Sequence, residues 1–267
     1  MKQFILKEEP DNNIVRLDGS DYHYLVRVRR LAVGEFFPAL LPDGKETLVQ
    51  ILSVDNGFLT GKCGEKVTDT NLKVTVTNLP QIILFQALPG GDKMDLIVRQ
   101  AAEGGITGIV PFVSEYSLIK PKTSQKTNAA GGQKFDRWQR IIKEARQQSG
   151  SKIATAIQPP MSMEEMFNYW EELKKDGALG LLFHHQGVAK ESLHGYLNIY
   201  PNIVVLAIGP EGGFSDSEVS VFLKNGFKPL TIGDTVLRTE TAALYCAAAT
   251  RIILLERDSW ELKQTKR

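Results

Sequence analysis

The chain has 267 residues, 42% of them apolar and 24% charged, the balance of an ordinary globular protein long enough for two domains. Apolar runs such as LGLLF and NIVVLAI fall far short of the roughly 20 residues a membrane span requires. The opening MKQFILKEEPDNN lacks the apolar core and cleavage site of a signal peptide, so a cytoplasmic protein is expected. The net charge of +1 is unevenly spread: residues 1–70 carry 9 basic and 11 acidic side chains, 71–160 carry 12 and 6, and 161–267 carry 11 and 14. A basic middle segment attracts polyanions by counterion release, although solvated basic faces are common. Cys63 and Cys246 lack metal-ligand spacing, and neither a disulfide framework nor a metal site is expected.

In chain order, QFILKE, NIVRLDGSD and the stretch from Glu35 to Cys63 read as short strands divided by turn signals. Asp43-Gly44 and Asn56-Gly57 are hairpin signals one strand apart. SDYHYLVRVRRLAVGE interrupts them with helical spacing, Ser20 as N-cap and Gly34 as stop. This predicts a small β-barrel with one helix. From NLKVTVTNLP onward strands and helices alternate, which predicts a mostly parallel sheet flanked by helices, with the boundary near residues 70–77. The segment Lys120 to Lys134 is polar and basic and reads as a loop. Lys120, Lys122, Lys126 and Lys134 there suit phosphate contacts and suit a solubilising linker equally well.

Ligands of open α/β sheets collect at the carboxyl ends of strands. Three such ends are unusual: LGLLFHHQG with His184 and His185, IGPEGGFSDSE, and LTIGDTVLRTETAALY. Ser215 and Glu218 fit a capping box, and the glycines ahead of it allow close backbone approach beside a helix N-terminus. Paired histidines also serve packing, a glycine turn without GxGxxG or P-loop order is unspecific, and Thr-Glu-Thr before a helix is also a plain cap. The residues by themselves reach a small-ligand pocket near the C-terminus.

IGPEGGFSDSEV followed by LTIGDTVLRTETAALYCAAA resembles the paired signature of the ribosomal RNA small-subunit methyltransferase E family. The likeness extends to LPGGDKMDLIVRQAAEGGITGIVPFVSEYS, RWQRIIKEARQQSG and YHYLVRVRRLAVGE, nearly the whole chain. It implies a PUA-like β-barrel RNA-binding domain over residues 1–72 and a SPOUT domain over 73–267, an α/β sheet tied in a trefoil knot, an exception to the rule against threaded chains. It implies S-adenosylmethionine-dependent methylation of a uridine N3 in 16S ribosomal RNA of the small subunit by a homodimer. Cofactor contacts would come from Leu182, Ile208, Gly209, Glu211, Gly213, Ile232, Gly233, Leu237 and Thr239. Arg238 would stabilise charge on the uracil oxygens, and Glu211 would either accept a proton or bind the cofactor amine. Arg27, Arg29, Arg30, Lys93, Arg99, Lys120 and Lys122 would contact RNA phosphates, or several of them simply face solvent. The chain departs from the family pattern at Gln147 and Ser151, where a Glu and an Arg are usual, at Gly90, where a lysine is common, and at Arg29, where a leucine is. These departures bear on RNA docking and target choice. The rivals are a non-catalytic RNA-binding or assembly protein of the same fold, and a SPOUT enzyme with another RNA target. A Rossmann-type methyltransferase is disfavoured because the glycines come late rather than after its first strand.

Overall fold

Six parallel strands form the larger sheet, in the order β11-β9-β10-β6-β7-β8, in a computed structural model that describes residues 4–64, 79–118, 129–185 and 191–264, with backbone alone at 129–132 and 257–264. The strands are β6 (Gln81–Ala87), β7 (Gly108–Phe112), β8 (Ala156–Ile157), β9 (Ala178–Phe183), β10 (Ile203–Ile208) and β11 (Lys228–Leu230). Between them run α2 (Lys93–Glu103), α3 (Ala129–Ser149), α4 (Met163–Lys175), α5 (Leu193–Leu197) and α6 (Asp216–Lys224), and α7 (Thr239–Gln264) ends the chain. The central strands β6 and β10 are buried along nearly their whole length, which is why they read as unbroken apolar runs rather than as alternation.

Helices cover both faces. Ile82, Leu84, Val204 and Leu206 pack with Ile97 of α2, Trp138 and Ile142 of α3, and Ala243 and Leu254 of α7. On the other face Phe85, Leu182 and Val205 pack with Met166 and Trp170 of α4 and Phe222 of α6. After β11, at one edge of the sheet, the chain returns to the middle and descends as α7 against α2, β6 and β10. That return passes the carboxyl ends of the strands and positions the site.

The smaller sheet has the order β1-β3-β4-β5-β2, from β1 (Phe4–Ile5), β2 (Ile14–Asp18), β3 (Phe36–Leu40), β4 (Glu46–Val54) and β5 (Phe58–Gly64). Phe4, Leu17, Leu25, Phe37, Val49, Ile51 and Leu59 form its core. Both expected hairpins are present, with Gly44 at φ +91° and Gly57 at φ +95° in the turns. The expected helix differs. It starts at Gly19 after Asp18 rather than after Ser20, runs as α1 (Gly19–Tyr22) into a π-helical stretch His23–Val28, and stops well before Gly34. Arg30 at φ +57° makes the turn that ends it, so a residue whose side chain gives no local signal does what Gly34 was expected to do. By internal contacts one unit comprises Met1–Val76 with Arg146–Ala154, and the other Thr77–Ala145 with Thr155–Arg267. The expected boundary at 70–77 and Lys120, Lys122 and Lys126 lie outside the described residues, apart from the segment's last lysine, Lys134, which is exposed on α3. No described helix is long and apolar enough to cross a membrane.

Candidate functional site

A cleft of about 330 Å³ opens at the carboxyl ends of β9, β10 and β11, on the face of the sheet that α7 covers. One wall is the turn Gly209 to Phe214 and the other is the loop from Thr231 to Thr239. The glycines of the first wall have separate causes. A Cβ on Gly209 would stand 3.1 Å from the Gly213 backbone, and one on Gly212 would stand 2.9 Å from Tyr116 Cβ. Gly213 itself turns at φ +71°, a conformation that costs other residues roughly 1–2 kcal/mol. The turn is thus folded tightly on itself before any ligand is considered.

The capping box read from the sequence follows directly. Ser215 Oγ accepts from Glu218 N–H at 3.3 Å, and Glu218 accepts from Ser215 N–H at 2.9 Å and from Glu115 N–H at 2.8 Å. Helix α6 is thereby anchored both to its own first turn and to the loop after β7.

Glu211 closes the turn from the other side. Its carboxylate pairs with Lys93 and accepts from Gly90 N–H at 3.0 and 3.3 Å. Burial pushes the carboxyl pKa up, but the Lys93 ammonium and the N–H groups of Glu211 and Gly90 outweigh it and hold the group below its ordinary value. Such a carboxylate is a weak base. A Cβ on Gly90 would meet Leu118 at 2.7 Å and Glu211 at 3.4 Å, so a larger side chain there would displace Leu118.

Of the residues singled out from the sequence, Gly209, Glu211, Gly213, Ile232, Gly233, Leu237 and Thr239 line the cleft together. Leu182 does not: its side chain is fully buried on the α4 and α6 face, and Phe183, one residue on, faces the cleft instead. Ile208 is buried beneath the turn in the α7-side core. Arg238 is exposed between two cleft residues, Leu237 and Thr239. Arg27, Arg29 and Arg30 are exposed at the end of the π-helical stretch, Arg99 is exposed on α2, and Lys93 is engaged with Glu211. Gln147 is buried and Ser151 is half-buried.

Thr231, not singled out from the sequence, and the paired histidines, which were, also line the cleft. Thr231 presents a buried hydroxyl with no hydrogen-bond partner, a group that a bound ligand can satisfy. His184 is buried and His185 exposed, their rings 4.5 Å apart. Burial first, and the neighbouring His185 second, lower the His184 pKa and keep that ring neutral. Glycine cradle, neutral ring, apolar Phe183 and Leu237, and an unpaired hydroxyl suit a ligand with a flat heterocycle and a polar tail. Among the described residues no group of three or more acidic, His or Cys side chains could hold a metal ion.

A family model of an RNA methyltransferase domain matches residues 77–251, and one of an RNA methyltransferase PUA domain matches residues 17–62. The chain is 32% identical to ribosomal RNA small subunit methyltransferase E of Synechocystis, over 90% of this chain and 73% of that one. It is 30% identical to ribosomal RNA small subunit methyltransferase E 2 of Borreliella burgdorferi, over 95% of this chain and 98% of that one. Its structure is similar to that of ribosomal RNA small subunit methyltransferase E from Neisseria gonorrhoeae bound to S-adenosylmethionine, with a TM-score of 0.74, 25% identity, and 95% and 98% of the two chains covered.

Proposed function

This chain belongs to the ribosomal RNA small-subunit methyltransferase E family and is an S-adenosylmethionine-dependent rRNA methyltransferase, and we propose that it methylates N3 of a uridine in 16S ribosomal RNA. The observation that supports the site is the convergence of two strand-end loops on one cleft, joined by the Thr239 hydroxyl donating to the Gly209 carbonyl at 2.7 Å. We assign cofactor binding to this cleft: side chains of Ile232, Leu237 and Thr239, main-chain groups of Gly209, Gly213 and Gly233, and main-chain groups of Leu182 and Ile208 beneath them. The unpaired Thr231 hydroxyl fits the same ligand.

When bound, S-adenosylmethionine would supply a methyl group on a sulfonium; N3 gives its proton to water before or as the carbon–N3 bond forms, and the methyl carbon–sulfur bond breaks to leave the neutral thioether. Loss of that proton leaves charge on the two uracil oxygens. We assign the stabilisation of that charge to Arg238, exposed between the cleft residues Leu237 and Thr239. Glu211 is assigned to holding the turn and not to taking the proton, because Lys93 and Gly90 already occupy its carboxylate and favour its charged form. Residues 73–267 carry out transfer, and residues 1–72 dock RNA through Arg27, Arg29 and Arg30. In the smaller sheet Arg16 of β2 lies 3.8 Å over the Phe58 ring of β5, a cation on an aromatic support suited to RNA. Arg99, Lys120 and Lys122 are assigned phosphate contacts, Lys93 a contact secondary to its Glu211 pair, and the working form is a cytoplasmic homodimer.

Nucleoside mass spectrometry of 16S ribosomal RNA tests the reading. Cells lacking the gene should lose N3-methyluridine, and an Arg238→Ala copy should fail to restore it while the purified variant binds cofactor within about twofold of the parent, since a group acting on developing charge contributes about 10²–10³ in turnover. Unchanged N3-methyluridine in the deletion overturns the target. Equal loss of affinity and turnover overturns the role of Arg238.

A further inference from the structure

Along β6 the even positions Ile82 and Leu84, and Leu88 just beyond, fill the core on the α7 face, yet Gln86 stands in that series. The side chain has no exposed surface. A primary amide there must be hydrogen-bonded or it opposes folding, so its presence in an apolar register asks for a reason. Its nitrogen donates both protons, to the Ala87 carbonyl at 2.9 Å and to the Thr239 hydroxyl oxygen at 3.0 Å. The orientation of the amide is fixed by chemistry, because a carbonyl only accepts and so only the NH₂ can face Ala87. Thr239, receiving a proton from Gln86, has its own to give, and gives it to Gly209 at 2.7 Å. Gln86 also lies beside Ile208 in the β6–β10 register, directly ahead of Gly209. The amide oxygen is buried without a partner, a cost that an apolar residue would avoid.

We propose that Gln86 is a positioning residue of the cofactor cleft: through Thr239 it orients the Gly209 carbonyl and locks the two cleft walls in the spacing that binds S-adenosylmethionine. The inference rests on the assignment of the cofactor to this cleft. The relay runs one way, Gln86 N–H to Thr239 O–H to Gly209 C=O, and removal of either side chain breaks it at the same carbonyl.

The test uses the full chain and three measurements: melting without cofactor, cofactor Kd by calorimetry, and kcat and KM on small-subunit RNA. Gln86→Leu restores the apolar register and is expected to melt like the parent while raising Kd about tenfold, with KM for cofactor rising and kcat at saturation falling less than about threefold. Thr239→Val should weaken binding similarly, and the double variant should be no worse than the weaker single one, the sign of a shared path. A Gln86→Leu protein that melts and binds like the parent overturns the proposal, as does full additivity in the double variant. If Gln86→Leu does not fold, Thr239→Ser, which keeps the hydroxyl, should bind within about twofold of the parent and Thr239→Val should not; equal binding by the two overturns the relay. Failure of the cleft assignment reads differently: Ile232→Trp, which fills the cleft, would then bind cofactor normally. Failure of the relay alone leaves Ile232→Trp impaired and Gln86→Leu unimpaired.

Discussion

At the scale of single residues, the cleft holds two titrating groups whose environments push in the same direction on stability but at different pH. His184 is held neutral by burial and by His185, so its folded pKa is depressed and the unfolded chain takes up the proton first. Stability should therefore fall as pH drops below about 6.5, the ordinary imidazole value. Glu211 is held charged by Lys93 and the N–H groups against the opposing pull of burial, so its contribution is present above about 4.3 and is lost as pH falls through the depressed folded value. Thermal melts between pH 8 and pH 3, conditions chosen to span both windows, should separate them. His184→Gln should flatten the upper limb alone, and Glu211→Gln the lower limb alone. An unaltered upper limb in His184→Gln would show that the ring is not held neutral by its surroundings. Cofactor binding by Glu211→Gln should weaken at neutral pH as well, because the tie to Lys93 and Gly90 that fixes the turn is lost.

At the scale of elements, α6 begins where the glycine turn ends, and its first residues are fixed by Glu218 more than by the N-cap itself. Ser215→Ala removes one capping hydrogen bond and should cost about 1 kcal/mol. Glu218→Gln leaves a single acceptor oxygen for two N–H groups, those of Ser215 and Glu115, at a side chain only 6% exposed. One donor is stranded, so this variant should lose about 1–3 kcal/mol, more than the serine variant. Urea unfolding of both proteins checks the order, and the reverse order would mean that the Glu115 bond contributes nothing. The capping box was legible because it depends on residues three apart. So were the hairpins at Gly44 and Gly57, where a positive φ demands glycine. Helix α1 was misread because its stop is Arg30, which takes a positive φ although nothing in its side chain signals one. Leu182 entered as a cofactor contact through the family resemblance; its side chain is buried on the α4 and α6 face and Phe183 faces the cleft, a distinction that a run buried on both faces does not record. Gln86 and Thr231 were missed because their importance lies in partners or gaps far along the chain; the one local sign was a polar residue in the even register of β6. The strand order of the sheet is likewise set by crossovers whose direction no local pattern records.

At the scale of the molecule, α7 raises the question of what covers its outer face. Leu244, Ile252 and Leu255 are 42%, 53% and 51% exposed, and with Ala248 they recur at helical spacing on one side. Between them and Ile97 and Ala101 of α2 runs a groove of about 180 Å³ whose lining is almost wholly apolar. Alanines at 247 and 248 let another backbone come close, as small residues do wherever helices pack tightly. Exposed apolar side chains aligned in this way suit a contact surface, and we propose that the homodimer uses it. The occupant proposed is a second copy of the same face, because a two-fold contact uses one self-complementary patch twice and needs no further partner. Light scattering of the full chain should then give twice the 29.7 kDa of a single chain. Ile252→Asp places a charge in the middle of that face and should yield monomers that still melt cooperatively, since the side chain is half in solvent and contributes little to its own fold. A parent protein that runs as a monomer at micromolar concentration overturns the assignment. A dimer unaffected by Ile252→Asp keeps the oligomer but moves its interface off α7.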